Sequence, residues 1–395
     1  MNSLIPREKV VVAMSGGVDS SVSAALLAQK GYERIGVSMQ VWDNRQNGGA
    51  KSRVSCCAPS DFNDARRVAG QFGIPYYVFD FEENFRKEVI ERFVRSYEQG
   101  LTPNPCVDCN NKVKFRELRD RATMLGFDYL ATGHYAQIHR DGSGYHLLRG
   151  TDNEKDQSYF LYGLGQDELA KTIFPVGHLT KDEVRKVAAE HGLVNANKAE
   201  SQDICFVSGS VPEFLVKLGS ARRRGEIVNQ AGQKLGEHDG VQGFTVGQRR
   251  GINIGGGADP LYVTALDTAR NQIVVGPRAE LERESFTVNE LSWCSPALVE
   301  RVVSERKVCF EAFAQLRHRH KGVKVKVEVE AGQAKVGFLD EWAVVSPGQA
   351  AVFYDLENRE VLGGGRIIPE AATSLEKSKC ASINAEINRP ITECC

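Results

Sequence analysis

KVVVAMSGGVDSS, residues 9–21, is the segment from which the fold class can be predicted. Its first six residues form a short apolar run, which is typical of a strand buried on both faces. Residues 20–30 then have helical composition and end at Gly31. A strand, a glycine-rich turn and a helix in this order predict the first unit of an α/β sheet.

The same alternation continues through the first 200 residues. Further strands are predicted at 34–41, 76–80 and 129–134, with helices at 61–71, 85–97 and 114–125. Strands separated by helices predict a parallel, doubly wound sheet, and such sheets bind ligands beyond the carboxyl ends of their strands. We therefore assign residues 1–210 to an α/β domain.

The pattern changes near residue 210. Residues 211–282 hold short strands and a glycine-dense stretch at 240–257, which predicts a small central linker domain. Alternating runs such as VKVKVEVE, residues 323–330, predict an antiparallel β-barrel over 283–370. Residues 371–395 are polar and lack periodicity, so we expect a disordered tail.

Composition limits the classes of protein that remain. Of the 395 residues, 42% are hydrophobic and 26% charged, as in ordinary globular proteins. No apolar run reaches the roughly 18 residues needed to span a bilayer, and the polar start is unlike a secretory signal, so we predict a cytoplasmic protein without a membrane partner. The net charge of −1 gives no overall attraction to nucleic acid. RNA binding would depend on local basic runs, at 222–224, 248–250 and 315–326.

The turn SGGVDSS, residues 15–21, is suited to binding phosphate. Its glycines bring backbone N–H groups close to an anion at a helix N-terminus. It lacks the lysine of a Walker A loop and matches the SGG-x-DS signature of pyrophosphatase-type loops, which cleave ATP between the α and β phosphates. Asp19 is then the expected Mg²⁺ contact. The alternative is a turn that only caps a helix.

Cysteines form the second group of candidate residues. Ten are present, and in a long cytosolic chain they are more often catalytic or metal-binding than paired in disulfides. NPCVDCNNKVKF, residues 104–115, holds Cys106 and Cys109, which we expect to precede a helix starting near Lys112, where a thiol has a lowered pKa. ESQDICFV, residues 200–207, holds Cys205. Structural roles are expected for the others, Cys56, Cys57, Cys294, Cys309, Cys380, Cys394 and Cys395.

Six motifs, in order along the chain, resemble those of the tRNA-specific 2-thiouridylase family. They are SGGVDSS (15–21), NPCVDCNNKVKF (104–115), ATGHYA (131–136), DQSYFL (156–161), ESQDICFV (200–207) and GFTVGQRRG (243–251). The resemblance extends from Val10 to about Pro369. It implies an adenine nucleotide α-hydrolase-like domain and ATP-dependent 2-thiolation of the wobble uridine in tRNAs for lysine, glutamate and glutamine.

The resemblance also implies roles for individual residues. Cys109 would be the nucleophile and Cys205 the carrier of a persulfide, supplied by a cysteine desulfurase or a sulfur-relay protein. The residues implied for ATP are Ala13, Met14, Ser15, Gly16, Gly17, Val18, Asp19, Ser20, Met39 and Gly133. Those implied for tRNA, the first three around the target base, are Asn104, Pro105, Cys106, His134, Lys155, Asp156, Gln157, Arg317, His318 and Gln349. Two positions depart from many relatives: His318 stands where they have Tyr, and Cys106 where some have Asp.

Thiolation of uridine requires an ATP site and two reactive cysteines. A uridine C2 oxygen is a poor leaving group, and adenylation converts it into AMP. One cysteine can then deliver sulfur while a second breaks the persulfide bond, on a base turned out of its stack.

Three alternatives remain at this point. Cys106, Cys109 and Cys205 could hold a 4Fe–4S cluster for the same thiolation. The loop could belong to an amidating ligase. The chain could also be a noncatalytic RNA-binding protein or an iron–sulfur scaffold.

Overall fold

The computed structural model describes residues 8–42, 59–199, 204–207, 209–252, 254 and 260–369. Within these ranges no helix is long and apolar enough to cross a membrane. Some predictions fall outside the described residues: those on Cys56 and Cys57, on residues 200–203 of the Cys205 motif, on the end of the glycine-dense stretch, and on the tail 371–395 with its cysteines.

The first domain is built on a five-stranded parallel sheet. Its strands lie in the order Tyr76–Asp80, Glu33–Gln40, Lys9–Ala13, Tyr129–Ala131 and Thr172–Ile173. The predicted doubly wound α/β fold is therefore confirmed. Lys9–Ala13 is the central strand, where Val10, Val11 and Val12 are fully buried.

Helices cover both faces of this sheet. Val10 and Val12 pack with the helices Val18–Gln29, Pro59–Gln71 and Lys181–Glu190, while Val11 faces the other core. Two long helical runs cover that second face, and each contains a π-helical segment. The first is Glu82–Phe85, Arg86–Ile90 (π) and Glu91–Glu98, and the second is Pro105–Asp108, Cys109–Leu118 (π) and Arg119–Met124.

The second run, residues 105–124, is called the cysteine helix below. The prediction that a helix starts near Lys112 was wrong, because the helix starts seven residues earlier, at Pro105. Asn104 is its N-cap in extended conformation, and proline is favoured at the first helical position because its φ is already helical. Both Cys106 and Cys109 therefore lie inside the helix.

Smaller elements complete the first domain. A hairpin, Ala136–Arg140 with Tyr145–Arg149, leaves the sheet, and a 3₁₀ turn (Ser158–Leu161) and a short helix (Gln166–Ala170) follow.

The central domain has its own apolar core. It begins with the helix Val211–Lys217 and includes a 3₁₀ turn, Val241–Gly243. Its four-stranded sheet has the order Tyr262–Asp267, Gln272–Gly276, Gly225–Val228 and Lys234–His238.

The C-terminal domain is a closed β-barrel, as predicted. Its strands lie in the order Ser285–Trp293, Gln333–Phe338, Val323–Glu330, Lys307–Gln315, Ala350–Tyr354 and Val361–Ile368. Alternation in VKVKVEVE puts Val325 and Val327 in the core, fully buried. A 3₁₀ turn (Arg278–Leu281), a short pair (Glu282–Arg283 with Ala343–Val344) and a helix (Pro296–Ser304) flank the barrel.

Candidate active site

The phosphate loop, residues 14–17, connects the central strand to the first helix. Gly16 has a φ of 75°, and an added Cβ would lie 2.3 Å from the carbonyl oxygen of Asp61. Only glycine satisfies both this backbone conformation and this close approach. Gly17 is the N-cap of the helix, and Ser20 donates to its carbonyl at 3.1 Å. The loop thus presents the N-terminus of a helix as an anion site.

Asp19, in the first turn of that helix, is held by two partners that the sequence did not reveal. Lys181 Nζ donates to both carboxylate oxygens, at 2.7 and 2.9 Å, and the Tyr135 hydroxyl donates at 2.7 Å. Lys181 is buried, with 7% of its surface exposed. The two residues of this ion pair are 162 positions apart in the sequence, so no local motif could have predicted the pairing.

The segment that leads to Cys205 is hydrogen-bonded to the phosphate loop. The Asn195 amide donates to the Gly16 carbonyl at 3.0 Å and to the Ser21 hydroxyl at 2.8 Å. Lys198 Nζ donates to the same carbonyl at 3.1 Å and pairs with Asp61 at 2.6 Å. These residues were also missed, although their position directly before the Cys205 motif could have identified them.

The phosphate loop, the cysteine helix and the Cys205 segment enclose one cavity of about 320 Å³. It lies at the carboxyl ends of the strands, where ligands bind in doubly wound sheets. Among the residues that the sequence predicted, the lining includes Ala13, Met14, Ser15, Asp19, Ser20, Met39, Pro105, Cys106, Cys109, Gly133, His134, Gln157 and Cys205.

The three predicted cysteines all face this cavity. Cys106 is exposed, while Cys109 and Cys205 are half-buried. Cys109 is the first residue of the π-helical segment, a departure from α-helical geometry that is frequent at functional sites. Cys294 differs from them, because it is fully buried, its burial raises the pKa of its thiol, and its S–H contacts the Tyr162 carbonyl.

The iron–sulfur hypothesis gains no support from the donor geometry. Among the residues that the structure describes, no three His, Cys, Asp or Glu side chains are grouped so that they could hold a metal ion.

Two buried polar side chains, His134 and Asn110, line the cavity. Burial lowers the pKa of His134 well below its ordinary value, and Lys114 lowers it further, which favours the neutral imidazole. Its Nδ1 lies 2.7 Å from the Thr132 hydroxyl. Asn110, next to Cys109, is 3% exposed, and its Oδ1 has no hydrogen-bond partner among the described residues.

The other predicted residues lie outside the lining. They are Gly16, Gly17 and Val18 of the loop region, Asn104, Lys155, Asp156, Arg317, His318 and Gln349. Asp156 is 9% exposed, and its carboxylate accepts from Arg149 at 2.6 Å and from the Ser158 hydroxyl at 2.9 Å. That carboxylate organises the turn before the 3₁₀ segment. Gln349 donates to the Thr102 carbonyl at 2.9 Å and so connects the barrel to the segment before the cysteine helix.

Three family models match successive parts of the chain. They are described as a tRNA methyl transferase HUP domain (residues 8–209), a tRNA methyl transferase PRC-barrel domain (212–277) and an aminomethyltransferase beta-barrel domain (283–367). A tRNA-specific 2-thiouridylase MnmA of Geobacter metallireducens is 49% identical over 367 residues, which are 91% of this chain and 97% of that protein. The chain belongs to the tRNA-specific 2-thiouridylase family.

Other comparisons agree with this family. A 2-thiouridylase MnmA of Roseiflexus sp. is 46% identical, over 91% of this chain and 99% of its own length. Among solved structures, the U34-tRNA thiolase NcsA from Methanococcus maripaludis with its [4Fe-4S] cluster is 20% identical, covers 55% of this chain and 66% of its own, and has a TM-score of 0.33. That overlap is too small to carry an argument about the cluster. Membership of the 2-thiouridylase family makes the shared cavity the candidate active site.

Proposed function

We propose that this chain is an ATP-dependent sulfurtransferase that replaces the C2 oxygen of the wobble uridine in tRNA with sulfur. One observation carries the proposal: a phosphate-binding loop and two cysteines from distant segments, Cys109 and Cys205, line the same cavity. The reaction requires this arrangement, because nucleotide and sulfur must reach one carbon atom. An amidating ligase would leave both cysteines without a role.

The first step activates the uridine. Its C2 oxygen attacks the α-phosphorus of ATP, the bond to the β-phosphate breaks, and pyrophosphate leaves. The N-terminus of the first helix and the hydroxyls of Ser15 and Ser20 would hold the phosphates. A single carboxylate beside phosphates fits Mg²⁺, which commonly uses one or two carboxylates together with phosphate oxygens, so Asp19 would hold the ion that offsets charge on the departing pyrophosphate.

The second step transfers sulfur. The terminal sulfur of a Cys205 persulfide attacks C2, and AMP leaves with the original oxygen. The Cys109 thiolate then attacks the Cys205 sulfur. The bond between that sulfur and the sulfur on C2 breaks, and its electron pair remains on the sulfur at C2. The products are 2-thiouridine and a Cys109–Cys205 disulfide, which a thiol reductant must reduce before the next cycle.

The tRNA contacts are part of the proposal. Asn104, Pro105 and Cys106 would surround a base turned out of its stack, with His134 and Gln157 at the same cavity. Lys155 and Asp156 belong to the adjoining turn, and Arg317, His318 and Gln349 would contact RNA from the barrel. The persulfide would come from a cysteine desulfurase or a sulfur-relay protein.

The test is an assay with ATP, a persulfide donor and unmodified tRNA, scored for pyrophosphate and thiouridine. We expect C109S and C205S each to abolish thiouridine while pyrophosphate release persists at least in part. C309S is the matched control, since Cys309 is exposed on the barrel strand Lys307–Gln315, and it should retain full activity. Pyrophosphate formed only with an amino acid acceptor would refute the proposal.

A further inference from the structure

Asp108, the residue directly before Cys109, does not face the active-site cavity. It is 5% exposed, and an unpaired carboxylate so deeply buried is strongly unfavourable. Arg366 Nη2 donates to both of its oxygens, at 2.9 and 3.1 Å, and Arg92 Nε lies 3.5 Å from Oδ1. The cysteine helix therefore carries a buried anion with two guanidinium partners.

The two arginines come from different domains. Arg92 lies in the helix Glu91–Glu98 of the first domain, and Arg366 lies in the last barrel strand, Val361–Ile368. Asp108 is thus the point where the cysteine helix, a neighbouring helix and the barrel meet. One nitrogen of Arg366 bridges both oxygens while Arg92 approaches one of them from the side, and such charge-assisted contacts from two directions restrain where the carboxylate lies.

A second carboxylate completes the cluster. Glu290 contacts Arg92 Nη2, and its Oε2 lies 3.7 Å from Arg366 Nε. Glu290 has a φ of 49°, in the left-handed region, at a point where the register of the strand Ser285–Trp293 shifts. A glutamate in this conformation is strained and persists only where surrounding contacts require it. The bulge directs this side chain toward the two arginines.

The barrel strand reaches this position through a close backbone contact. A Cβ at Gly364, two residues before Arg366, would lie 2.9 Å from the Tyr162 ring and 2.5 Å from the Ala351 carbonyl oxygen. Glycine at 364 therefore allows the strand to approach the first domain closely enough for Arg366 to meet Asp108.

We propose that Asp108 is a positioning residue, through which Arg366 of the barrel and Arg92 fix the cysteine helix so that Cys109 is aligned for sulfur transfer. The inference rests on the proposed thiolation and adds to it a task for the barrel besides RNA contact. Asp108 does not line the active-site cavity. Its effect is transmitted along the backbone to the next residue.

Two substitutions test whether Asp108 aligns Cys109. D108N keeps the size of the side chain and removes its charge, and R366Q removes the partner. Each should lower kcat for thiolation by about 10- to 100-fold at unchanged KM for tRNA, the range expected when a reacting group is misplaced by about 1 Å. Both variants break the Asp108–Arg366 contact, so if that contact aligns Cys109 the double variant should be no slower than the slower single variant.

A second measurement reports directly on the thiol. Iodoacetamide alkylation of the intact protein, without ATP or tRNA and followed by mass spectrometry, should show the rate at Cys109 changed severalfold in D108N and R366Q. Cys205 lies in another segment and serves as the internal reference, with an unchanged rate. E360Q is the matched control, since Glu360 also joins the barrel to the first domain, 2.9 Å from His146, and should alter neither rate.

Two results would overturn the inference: a Cys109-to-Cys205 alkylation ratio equal to that of the wild type in both variants, or additive losses of kcat in the double variant. Failure of the wild type to make thiouridine would refute the proposed function instead, and the alkylation ratio would still decide whether Asp108 positions Cys109.

Discussion

The substitution G16A tests whether the phosphate loop depends on its contact with the neighbouring helix. Alanine at 16 would occupy the left-handed region at a φ of 75°, which disfavours a residue with a Cβ by about 1–2 kcal/mol. The Cβ would also lie 2.3 Å from the Asp61 carbonyl oxygen. Backbone atoms cannot move aside as a flexible side chain can, and overpacking of this kind costs about 1–3 kcal/mol. Together we expect a loss of about 2–5 kcal/mol.

The chain offers two controls for this change. Gly31 has a φ of 79° and nothing within 4 Å of an added Cβ, so G31A reports the conformational cost alone, about 1–2 kcal/mol. Gly17 has a φ of −85°, and its added Cβ would meet only the Ser15 hydroxyl at 3.4 Å. Because glycine is favoured over alanine at a helix N-cap, G17A should cost about 1 kcal/mol, well below the loss expected for G16A.

The assay is urea unfolding followed by the fluorescence of Trp42, which is buried in the core of the first domain, with Trp293 and Trp342 replaced by phenylalanine in every variant. ATP binding is measured on the same proteins. Movement of residue 16 disturbs the carbonyl that Asn195 and Lys198 share, so G16A should bind ATP at least about tenfold more weakly, a change of about 1.4 kcal/mol. If G16A and G31A unfold at the same urea concentration, the close contact with Asp61 does not exist and the reasoning fails.

Three further predictions concern other contacts. K181M removes the cation that pairs with Asp19 and should lower the free energy of unfolding by about 1–3 kcal/mol. This loss is smaller than for a fully buried ion pair, because Asp19 is partly exposed. An unchanged urea midpoint would contradict the pairing. Burial lowers the pKa of His146, but its interactions with the Glu360 and Asp141 carboxylates together outweigh burial, and the net shift is upward. These contacts therefore stabilise the protein below pH about 6.5, and the stabilisation is lost as the pH rises through the folded-state pKa. H146Q should therefore melt at a lower temperature than the wild type at pH 5.5 and at the same temperature at pH 9; a constant difference would refute the sign. N110L removes a buried oxygen that has no partner among the described residues, together with a long hydrogen bond of 3.4 Å from the amide nitrogen to the Phe160 carbonyl. The melting temperature should therefore change little while thiolation falls at least about tenfold; a large drop in melting temperature would show that the oxygen is hydrogen-bonded after all.

The central features of the fold could be predicted because their causes are local. An apolar run, a glycine turn and a helical stretch within residues 9–30 determine a buried strand followed by a helix, whatever the rest of the chain does. The alternation at 323–330 likewise has one compatible structure, a strand with one buried face.

The start of the cysteine helix could not be predicted in this way. Residues 106–112 have no amphipathic period, and their helical conformation follows from Pro105 at the first helical position and from packing of Val107 and Val113 in the core. A π-helical segment also shifts the faces of the helix, so that a search for a period of 3.6 fails there.

The polar partners at the site were invisible for a different reason. Lys181 meets Asp19 across 162 positions and Arg366 meets Asp108 across 258. In the sequence, neither Lys181 nor Arg366 differs from a charged surface residue. The two ion pairs exist only because the tertiary structure brings the segments together. The motifs therefore pointed to many of the groups that line the cavity, and to some that do not, but not to the side chains that hold them in place.

The position of Arg366 in the chain has a consequence for synthesis. The strand Val361–Ile368 is the last that the structure describes, whereas the phosphate loop begins at residue 14, and domains generally fold in order as the ribosome extends the chain. A nascent polypeptide can therefore assemble its nucleotide site long before the carboxylate beside Cys109 acquires its barrel partner. If Asp108 has the positioning role proposed above, a chain that stops before residue 361 would hold the nucleotide site but lack the contact that aligns Cys109, so sulfur transfer would depend on a strand made after the whole first domain.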